Sequence, residues 1–292
     1  MSAAIIIQIL LGGILVGGVY ALVAFGLSLV YGVVRVLNFS HGTLLTVGGI
    51  AAAALFAKYG LNPFWLVVIL VPPFFIFGRV FYDLLLRPLT RRNRFEATVG
   101  AVLVTVGALI VLSDVTAALF GTSGRSIPLG FHAIEFHGVI ISITQAGILA
   151  GVAVFTVILH LILTHTWFGR AVRAVTQDAL GATICGVAAG SIHAYTFAFG
   201  YAIVAVAAVL YAMIYPVDPF MGFSLTVKAF TIIVVGGIGN LPGTLIAGVV
   251  LGVAEALTAF FWAPQWAPAL SIVLLLLILV VLPHGLLARR RG

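Results

Sequence analysis

Two long apolar segments of this chain are interrupted by short stretches rich in glycine and polar side chains. Residues 38–42 read Asn-Phe-Ser-His-Gly, and residues 236–243 read Gly-Gly-Ile-Gly-Asn-Leu-Pro-Gly. Inside hydrocarbon every backbone N–H and C=O group needs a partner, so a polar break is tolerated only against protein or a water-filled cavity. Broken helices of this kind are typical of the route that a solute takes across a membrane. The pattern therefore indicates a membrane transport protein.

The composition places the whole chain in the membrane class. Hydrophobic residues make up 63% of the sequence and charged residues 7%, with a mean hydropathy of +1.29. In a soluble domain about a quarter of the residues are charged. At about 20 residues for each spanning helix, the 292 residues have room for about eight to ten crossings. The one cysteine, Cys185, excludes an intrachain disulfide.

The apolar runs predict an all-α integral membrane protein with about eight or nine transmembrane segments, some of them broken or re-entrant. We expect one transmembrane domain over residues 1–292. The predicted segments are 5–34, 41–57, 64–86, 97–119, 142–163, 193–214, 226–235, 244–262 and 268–283. Segment 226–235 is too short to span a membrane alone, which favours a re-entrant helix there. The connection 120–141 is the largest one on its side and is expected to hold a short strand or helix.

Arginine clusters give the predicted orientation. They are Arg87, Arg91, Arg92 and Arg94 after the third segment, Arg170 and Arg173 after the fifth, and Arg289, Arg290 and Arg291 at the end. Positive residues flanking spans are enriched on the cytoplasmic side, so we expect these clusters inside, with the N-terminus outside and the C-terminus in the cytoplasm. Because the clusters are juxtamembrane and carry no interleaved aromatic residues, nucleic-acid binding is not expected.

The two breaks supply the candidate substrate pathway. Their side chains offer donors and acceptors, and their glycines let the backbone turn without a Cβ clash. The candidates are Asn38, Ser40, His41, Gly42, Gly236, Gly237, Gly239, Asn240, Pro242 and Gly243. Glycine-rich breaks also serve helix packing, and that alternative remains open for each residue.

Glu255 is the one acidic residue well inside a predicted span. A charge at mid-membrane costs about 3 kcal/mol on insertion scales, so Glu255 is expected to face protein or water. It either lines the pathway or forms a structural pair with a residue such as Lys228, and the pair is the favoured reading.

Three sequence blocks resemble a known family. Residues 20–42 are similar to the N-terminal signature of LivH-type permeases, which are membrane subunits of high-affinity branched-chain amino acid ATP-binding-cassette (ABC) importers. Residues 169–174, with Asp178 and Gly186, resemble the cytoplasmic loop of that family. Residues 228–243, followed by Gly252-Val253-Ala254-Glu255, resemble its C-terminal block. The resemblance implies a membrane subunit of an ABC importer. Because the family also carries urea and short amides, leucine-like amino acids, urea and amides all remain open as substrates.

Residues 169–189 form the longest polar connection on the predicted cytoplasmic side. Arg170, Arg173 and Gln177 lie at helical spacing, and the segment contains several small residues. A short helix of this kind suits docking into a cleft of a partner ATPase, and the resemblance implies a coupling helix. The candidate coupling residues are Arg170, Arg173, Asp178, Ala179, Ala182 and Gly186. The alternative is that the arginines only anchor the membrane edge.

The resemblance implies a set of partners in a bacterial inner membrane. They are a homologous second permease (LivM-like), two ABC ATPase subunits and an external solute-binding protein. The sequence offers no P-loop, because Lys58 and Lys228 are not preceded by glycine. ATP and Mg²⁺ are therefore expected on partner subunits, with no cofactor on this chain and no catalytic residue.

Two other classes compete with the importer. A self-contained secondary carrier or channel usually needs several buried carboxylates for coupling, and this chain offers only Glu255. A membrane-bound enzyme lacks a catalytic constellation. His132 and His137 flank Glu135 in an external loop, but their spacing is a weak signal for a metal, and no metal site is predicted.

Overall fold

The computed structural model describes residues 3–91, 93–128, 133–136 and 139–281. Its helices are α1 (Ala3–Val34), α2 (His41–Tyr59), α3 (Pro63–Phe81), α4 (Arg94–Phe120), α5 (Ile143–His165), α6 (Trp167–Gln177), α7 (Ala179–Ile184), α8 (Ala189–Ala212), α9 (Gly222–Gly236), α10 (Leu241–Phe261) and α11 (Ala267–Val281). A π-helical turn (Tyr82–Leu86) and a 3-10 turn (Arg87–Arg91) extend α3, and a second 3-10 turn (Pro264–Trp266) precedes α11.

Within these residues, seven helices are long and apolar enough to cross a membrane, and α9 and α11 are shorter apolar helices. The predicted all-helical membrane fold is confirmed, since each of the nine predicted segments corresponds to one of these helices. The short predicted segment 226–235 is the 15-residue helix α9. Which end of the bundle faces the cytoplasm remains a prediction.

The 120–141 connection, which was expected to hold a short strand or helix, contains strands. Strands β1 (Ala133–Phe136) and β2 (Val139–Ser142) form an antiparallel hairpin that leads directly into α5. Because α5 runs from this hairpin to α6, the hairpin and α6 mark opposite ends of the bundle. These ends are called the hairpin end and the α6 end below.

Helix α8 lies at the centre of the bundle and packs against α1, α2 and α3. In its most apolar stretch 89% of the residues are buried, whereas only 17% are buried in the corresponding stretches of α4 and α5. Side chains such as Leu103, Leu119 and Val154 are exposed. An apolar exposed face of this kind suits lipid, so α4 and α5 belong to the periphery.

Helices α1 and α10 approach each other through glycines. Gly13 and Gly17 of α1 face Gly248 and Gly252 of α10, and a Cβ atom added at Gly17 would stand 2.5 Å from the Gly248 carbonyl oxygen. Both pairs have the spacing of a GxxxG motif, which lets two helix backbones meet in a membrane. This contact makes the first and the tenth helices neighbours.

Candidate functional site

The first polar break is the connection between α1 and α2. Arg35 has a left-handed φ of 55°, and the chain then returns into the bundle. His41, the first residue of α2, places its Nε2 3.0 Å from the carbonyl oxygen of Val23, which lies well inside α1. Helix α2 therefore begins in the protein interior, at the depth of the middle of α1.

The side chains of the first break are buried and bonded to protein. Asn38 accepts from the Ser40 hydroxyl at 2.8 Å and donates to the Tyr201 hydroxyl at 3.3 Å. The residues Asn38, Ser40, His41 and Tyr201 are all 0% exposed. The network pairs most of these buried polar groups with protein, as a break in a membrane requires, although Nδ1 of His41 has no partner among the described residues. In this conformation these candidate pathway residues face other helices.

Gly42 allows a close approach, whereas a turn of the backbone was expected there. It lies in the first turn of α2, and a Cβ atom at this position would meet the carbonyl oxygen of Gly222. Its N–H donates to the Thr226 hydroxyl at 2.9 Å, and that hydroxyl donates to the Phe39 carbonyl at 3.0 Å. Helix α9 is thereby bound to the first break.

The second polar break lies between α9 and α10. Gly237 and Gly239 have φ values of +85° and +77°, a backbone conformation that favours glycine. Asn240 caps α10 by accepting from the Gly243 N–H at 3.3 Å. The Ser28 hydroxyl of α1 accepts from the Gly239 N–H at 3.0 Å. At Gly237 and Gly239 the predicted role of glycine as the residue that lets the chain turn is confirmed, whereas a role in the substrate pathway stays a prediction.

A cavity of about 420 Å³ opens at the α6 end beside the second break. Gly239, Asn240 and Pro242 form one wall, and Arg173 of α6 lies on another. Of the remaining candidates in this break, Gly236 and Gly243 are buried where their backbones touch, and a Cβ atom at Gly236 would stand 2.6 Å from the Gly243 carbonyl oxygen. The second break therefore faces open space, unlike the first.

A second cavity, of about 640 Å³, opens at the hairpin end. Its walls come from the first half of α1, from α9, α10 and the start of α11, and from Gln145 at the start of α5. Lys228 and Glu255 lie on its wall together with Tyr20, Tyr211 and Tyr215. Burial, reinforced by the negative charge of Glu255, raises the pKa of Tyr215, so this phenol stays protonated at neutral pH.

Lys228 and Glu255 form the predicted ion pair. The Lys228 ammonium lies 2.8 Å from Oε2 of Glu255 and donates to the Tyr20 hydroxyl at 2.9 Å. Oε1 of Glu255 accepts from the Ser271 hydroxyl at 2.5 Å. The pair joins α9 to α10, while Tyr20 adds α1 and Ser271 adds α11. Because the same pair lies on a cavity wall, the two roles considered for Glu255 are compatible.

The two cavities are separated by a closed layer. Both have walls on α1: Ile9 to Tyr20 at the hairpin end, and Ser28 to Val33 at the α6 end. Between them the apolar residues from Ala21 to Leu27 are at most 2% exposed, and His41 binds the backbone there. The chain thus has open space at each end and buried residues in the middle, where a smaller pocket of about 230 Å³ between α1, α5 and α10 touches Phe25.

The predicted coupling segment forms two short helices. Arg170 donates to the His165 carbonyl at 3.3 Å, and Arg173 donates to the carbonyls of Leu163 and Thr164. Both arginines therefore bind the last turn of α5, where a cation also complements the helix dipole. Asp178 caps α7 by accepting from the Leu180 N–H at 3.0 Å.

Among the small candidate residues of the coupling segment, one is buried in the chain itself and two are exposed. Ala182 is buried, and Gly186 ends α7 with a φ of +84°. Ala179 is exposed, but the largest exposed side chains on α7 are Leu180 and Ile184, which are 73% and 79% exposed. They lie four residues apart on one face of the helix. Sequence reasoning, which looked for small residues, missed this apolar pair.

Several predicted features lie outside the described residues: Arg92, His132, His137 and the three arginines at positions 289–291. Within the described ranges, no three His, Cys, Asp or Glu side chains come close enough together to hold a metal ion.

The buried partners Tyr20, Ser28 and Tyr201 were also missed by sequence reasoning. Their partners cannot be read locally, because each bonds to a residue more than 150 positions away. The glycine contact between α1 and α10, in contrast, had a readable signal in its two GxxxG motifs.

Comparison with known proteins gives a consistent result. Residues 9–281 match the family model described as branched-chain amino acid transport system / permease component. The chain is 34% identical to the high-affinity branched-chain amino acid transport system permease protein BraD of Pseudomonas aeruginosa, over 97% of this chain and 96% of the relative. It is 32% identical, over the same shares, to the permease protein LivH of Escherichia coli K12.

A third relative is less similar to the chain. The chain is 26% identical to the probable branched-chain amino acid transport permease protein LivH of Methanocaldococcus jannaschii, over 96% of this chain and 91% of the relative. The match covers the helices that form both cavities and both breaks. The chain is a multi-pass membrane protein that belongs to the permease family of branched-chain amino acid transport systems.

Proposed function

We propose that this chain is the permease subunit of an ATP-driven ABC importer that moves branched-chain or other hydrophobic amino acids into the cytoplasm by alternating access. The observation that carries this proposal is the pair of cavities at opposite ends of α1, with a closed layer between them. Alternating access requires a barrier between the two sides of the membrane, and the buried layer supplies one. The substrate class is supported by the names of the relatives.

The chain works as one transmembrane domain in a bacterial inner membrane and is not an enzyme. It binds no cofactor of its own, and ATP with Mg²⁺ binds to two separate ATPase subunits, in keeping with the lack of a P-loop. A homologous second permease and an external solute-binding protein complete the importer.

Helices α6 and α7 transmit the motion of the ATPases. Leu180 and Ile184 present an apolar contact to the ATPase, and Asp178 and Gly186 fix the two ends of α7. Arg170 and Arg173 tie this unit to α5. Because Arg173 also lies on the α6-end cavity, displacement of α6 alters the wall that faces the second break.

In the resulting cycle, the amino acid enters the hairpin-end cavity from the binding protein. ATP binding and hydrolysis on the partner subunits shift α6 and the helices attached to it. The layer at Ala21–Leu27 opens towards the α6-end cavity, and the substrate leaves past Gly239, Asn240 and Pro242.

The test is uptake of radiolabelled leucine into proteoliposomes that hold this chain with both ATPases, the second permease and the binding protein. We expect uptake that depends on ATP and that urea does not inhibit. In the variant Ile184→Asp, uptake should fall at least about tenfold, because a charge replaces a central apolar contact of the ATPase interface.

The matched control for that variant is Ser191→Asp. Ser191 is exposed in the first turn of α8, where an added acidic residue suits the helix dipole, so uptake should be retained. Uptake that persists without ATP or without the ATPases would refute the importer and favour a carrier or channel. Inhibition by urea or short amides would refute the amino-acid assignment.

A further inference from the structure

The Lys228–Glu255 pair offers two opposite charges at one point of the hairpin-end cavity. A ligand site is commonly an apolar cleft with a few convergent polar groups, and its volume is about 300 to 1,000 Å³. The cavity, at about 640 Å³, falls in that range. We propose that Lys228 and Glu255 bind the carboxylate and the ammonium group of a zwitterionic α-amino acid, an assignment that rests on the function proposed above.

The hydrogen-bonding capacity of the pair leaves room for a ligand. An ammonium group has three N–H donors, and within the described residues Lys228 uses one for Tyr20 and one for Glu255. A carboxylate has about four lone-pair positions, and Glu255 accepts from Lys228 and Ser271. One donor and further acceptor sites are thus available beside each other, as the two ends of an α-amino acid require.

A structural pair alone accounts poorly for this placement. Two buried charges lose hydration, and replacing such a pair by uncharged residues is often neutral or stabilising. Lys228 and Glu255 are only 9% and 6% exposed, yet both lie on a cavity wall. Binding a zwitterion puts each charge next to an opposite one, so the pair gains a partner for each member without adding net charge.

The rest of the cavity suits an aliphatic side chain. Val16 of α1 and Ala256 and Ala259 of α10 line it, and Ile214 and Phe260 add further apolar surface. Gln145 and Tyr215 add polar groups towards the hairpin end. The cavity thus combines one charged pair with apolar walls. This combination matches an amino acid whose only charged groups are the ammonium and the carboxylate attached to its α-carbon.

The experiment follows the labelling of one introduced cysteine, after the chain's own cysteine has been replaced. Cys185 is exposed, so it is replaced by serine, and one new cysteine is placed at Ala259, one helical turn beyond Glu255 on the cavity wall. The assembled transporter in nanodiscs, without binding protein, is labelled with a maleimide at increasing leucine concentrations. We expect leucine to slow labelling of the Ala259→Cys variant in a saturable way.

The matched control is Thr176→Cys in the α6-end cavity, whose labelling should not respond to leucine in the same range. The double variant Lys228→Met/Glu255→Gln removes both charges at once, so neither is left unpaired. In it, the leucine concentration for half-maximal protection should rise at least about tenfold, because charge-assisted contacts are lost. A double variant that is protected as well as the parent would overturn the proposal.

Two analogues test the unmutated pair, which keeps the result independent of how the double variant folds. Isocaproate lacks the ammonium group and isoamylamine lacks the carboxylate, so each should protect at least about tenfold less well than leucine. Equal protection by either analogue, or no protection by leucine, contradicts the assignment. ATP-dependent uptake without protection would reject this site and leave the proposed function standing, whereas absence of uptake would reject that function.

Discussion

The two polar breaks look alike in sequence but differ in their surroundings. In the first, Asn38 and Ser40 are wholly buried and bond to Tyr201. In the second, Gly239 and Asn240 lie on a cavity, and Ile238 is 52% exposed. Glycine therefore has a different role in each break: at Gly42 it makes room for another backbone, and at Gly239 it permits a left-handed turn.

The contrast indicates that the two breaks have different roles in the protein. A buried hydrogen-bonded network in a membrane interior resists opening, because each freed group would lose its partner in an apolar surrounding. A loop beside a cavity can move at lower cost. We infer that the first break holds α2, α8 and α9 in place, while the second break lies where substrate leaves.

The largest expected contrast is in chemical accessibility. With Cys185 replaced by serine, Ile238→Cys should react with a membrane-impermeant maleimide at least about tenfold faster than Ser40→Cys, since a buried thiol reacts only after local opening. Labelling of sealed vesicles from each side also tests the predicted orientation: Ile238→Cys should react from the cytoplasmic face. Comparable rates at the two positions would remove the distinction between the breaks.

The next contrast is in stability. Gly42→Ala should cost about 3 kcal/mol, since its Cβ would overlap the Gly222 backbone. Gly239→Ala should cost about 1 to 2 kcal/mol, because nothing stands within 4 Å and only the left-handed conformation is penalised. Thermal unfolding of the purified assembly measures both. Equal losses would mean that the close approach at Gly42 relaxes readily.

The smallest contrast concerns the two asparagines. Asn38→Ala should cost about 2 kcal/mol, because Ser40 and Tyr201 lose a buried partner. Asn240→Ala should cost about 1 kcal/mol, the usual value for a lost helix cap that is partly exposed. The same unfolding measurement applies, with Asn38→Asp as a variant that keeps the acceptor. A larger loss at Asn240 would reverse the comparison.

The spans and the ion pair were predictable because their signals are local. A long apolar run is enough to place a membrane helix, and each of the nine runs became one. Lys228 was a reasonable partner for Glu255 because intramembrane charges need an opposite charge. The positive φ at Gly237 and Gly239 follows from glycine-rich sequence in the same way.

The surroundings of each break could not be read from the sequence, because they depend on distant partners. Asn38 meets Tyr201 only after α8 takes its central place, and Ser28 meets Gly239 through the contact of α1 with α10. Likewise, whether Ala182 faces a partner or the interior depends on how α7 lies against α8. Composition alone does not decide such packing.

The glycine contact between α1 and α10 has a consequence for biosynthesis. Helix α1 emerges from the ribosome about 200 residues before α10, a delay of roughly ten to forty seconds at about 5–20 residues per second. During that time Gly13 and Gly17 lack their α10 partners, and Lys228 enters before Glu255. The bundle therefore closes late, when the tenth helix arrives to cover the first.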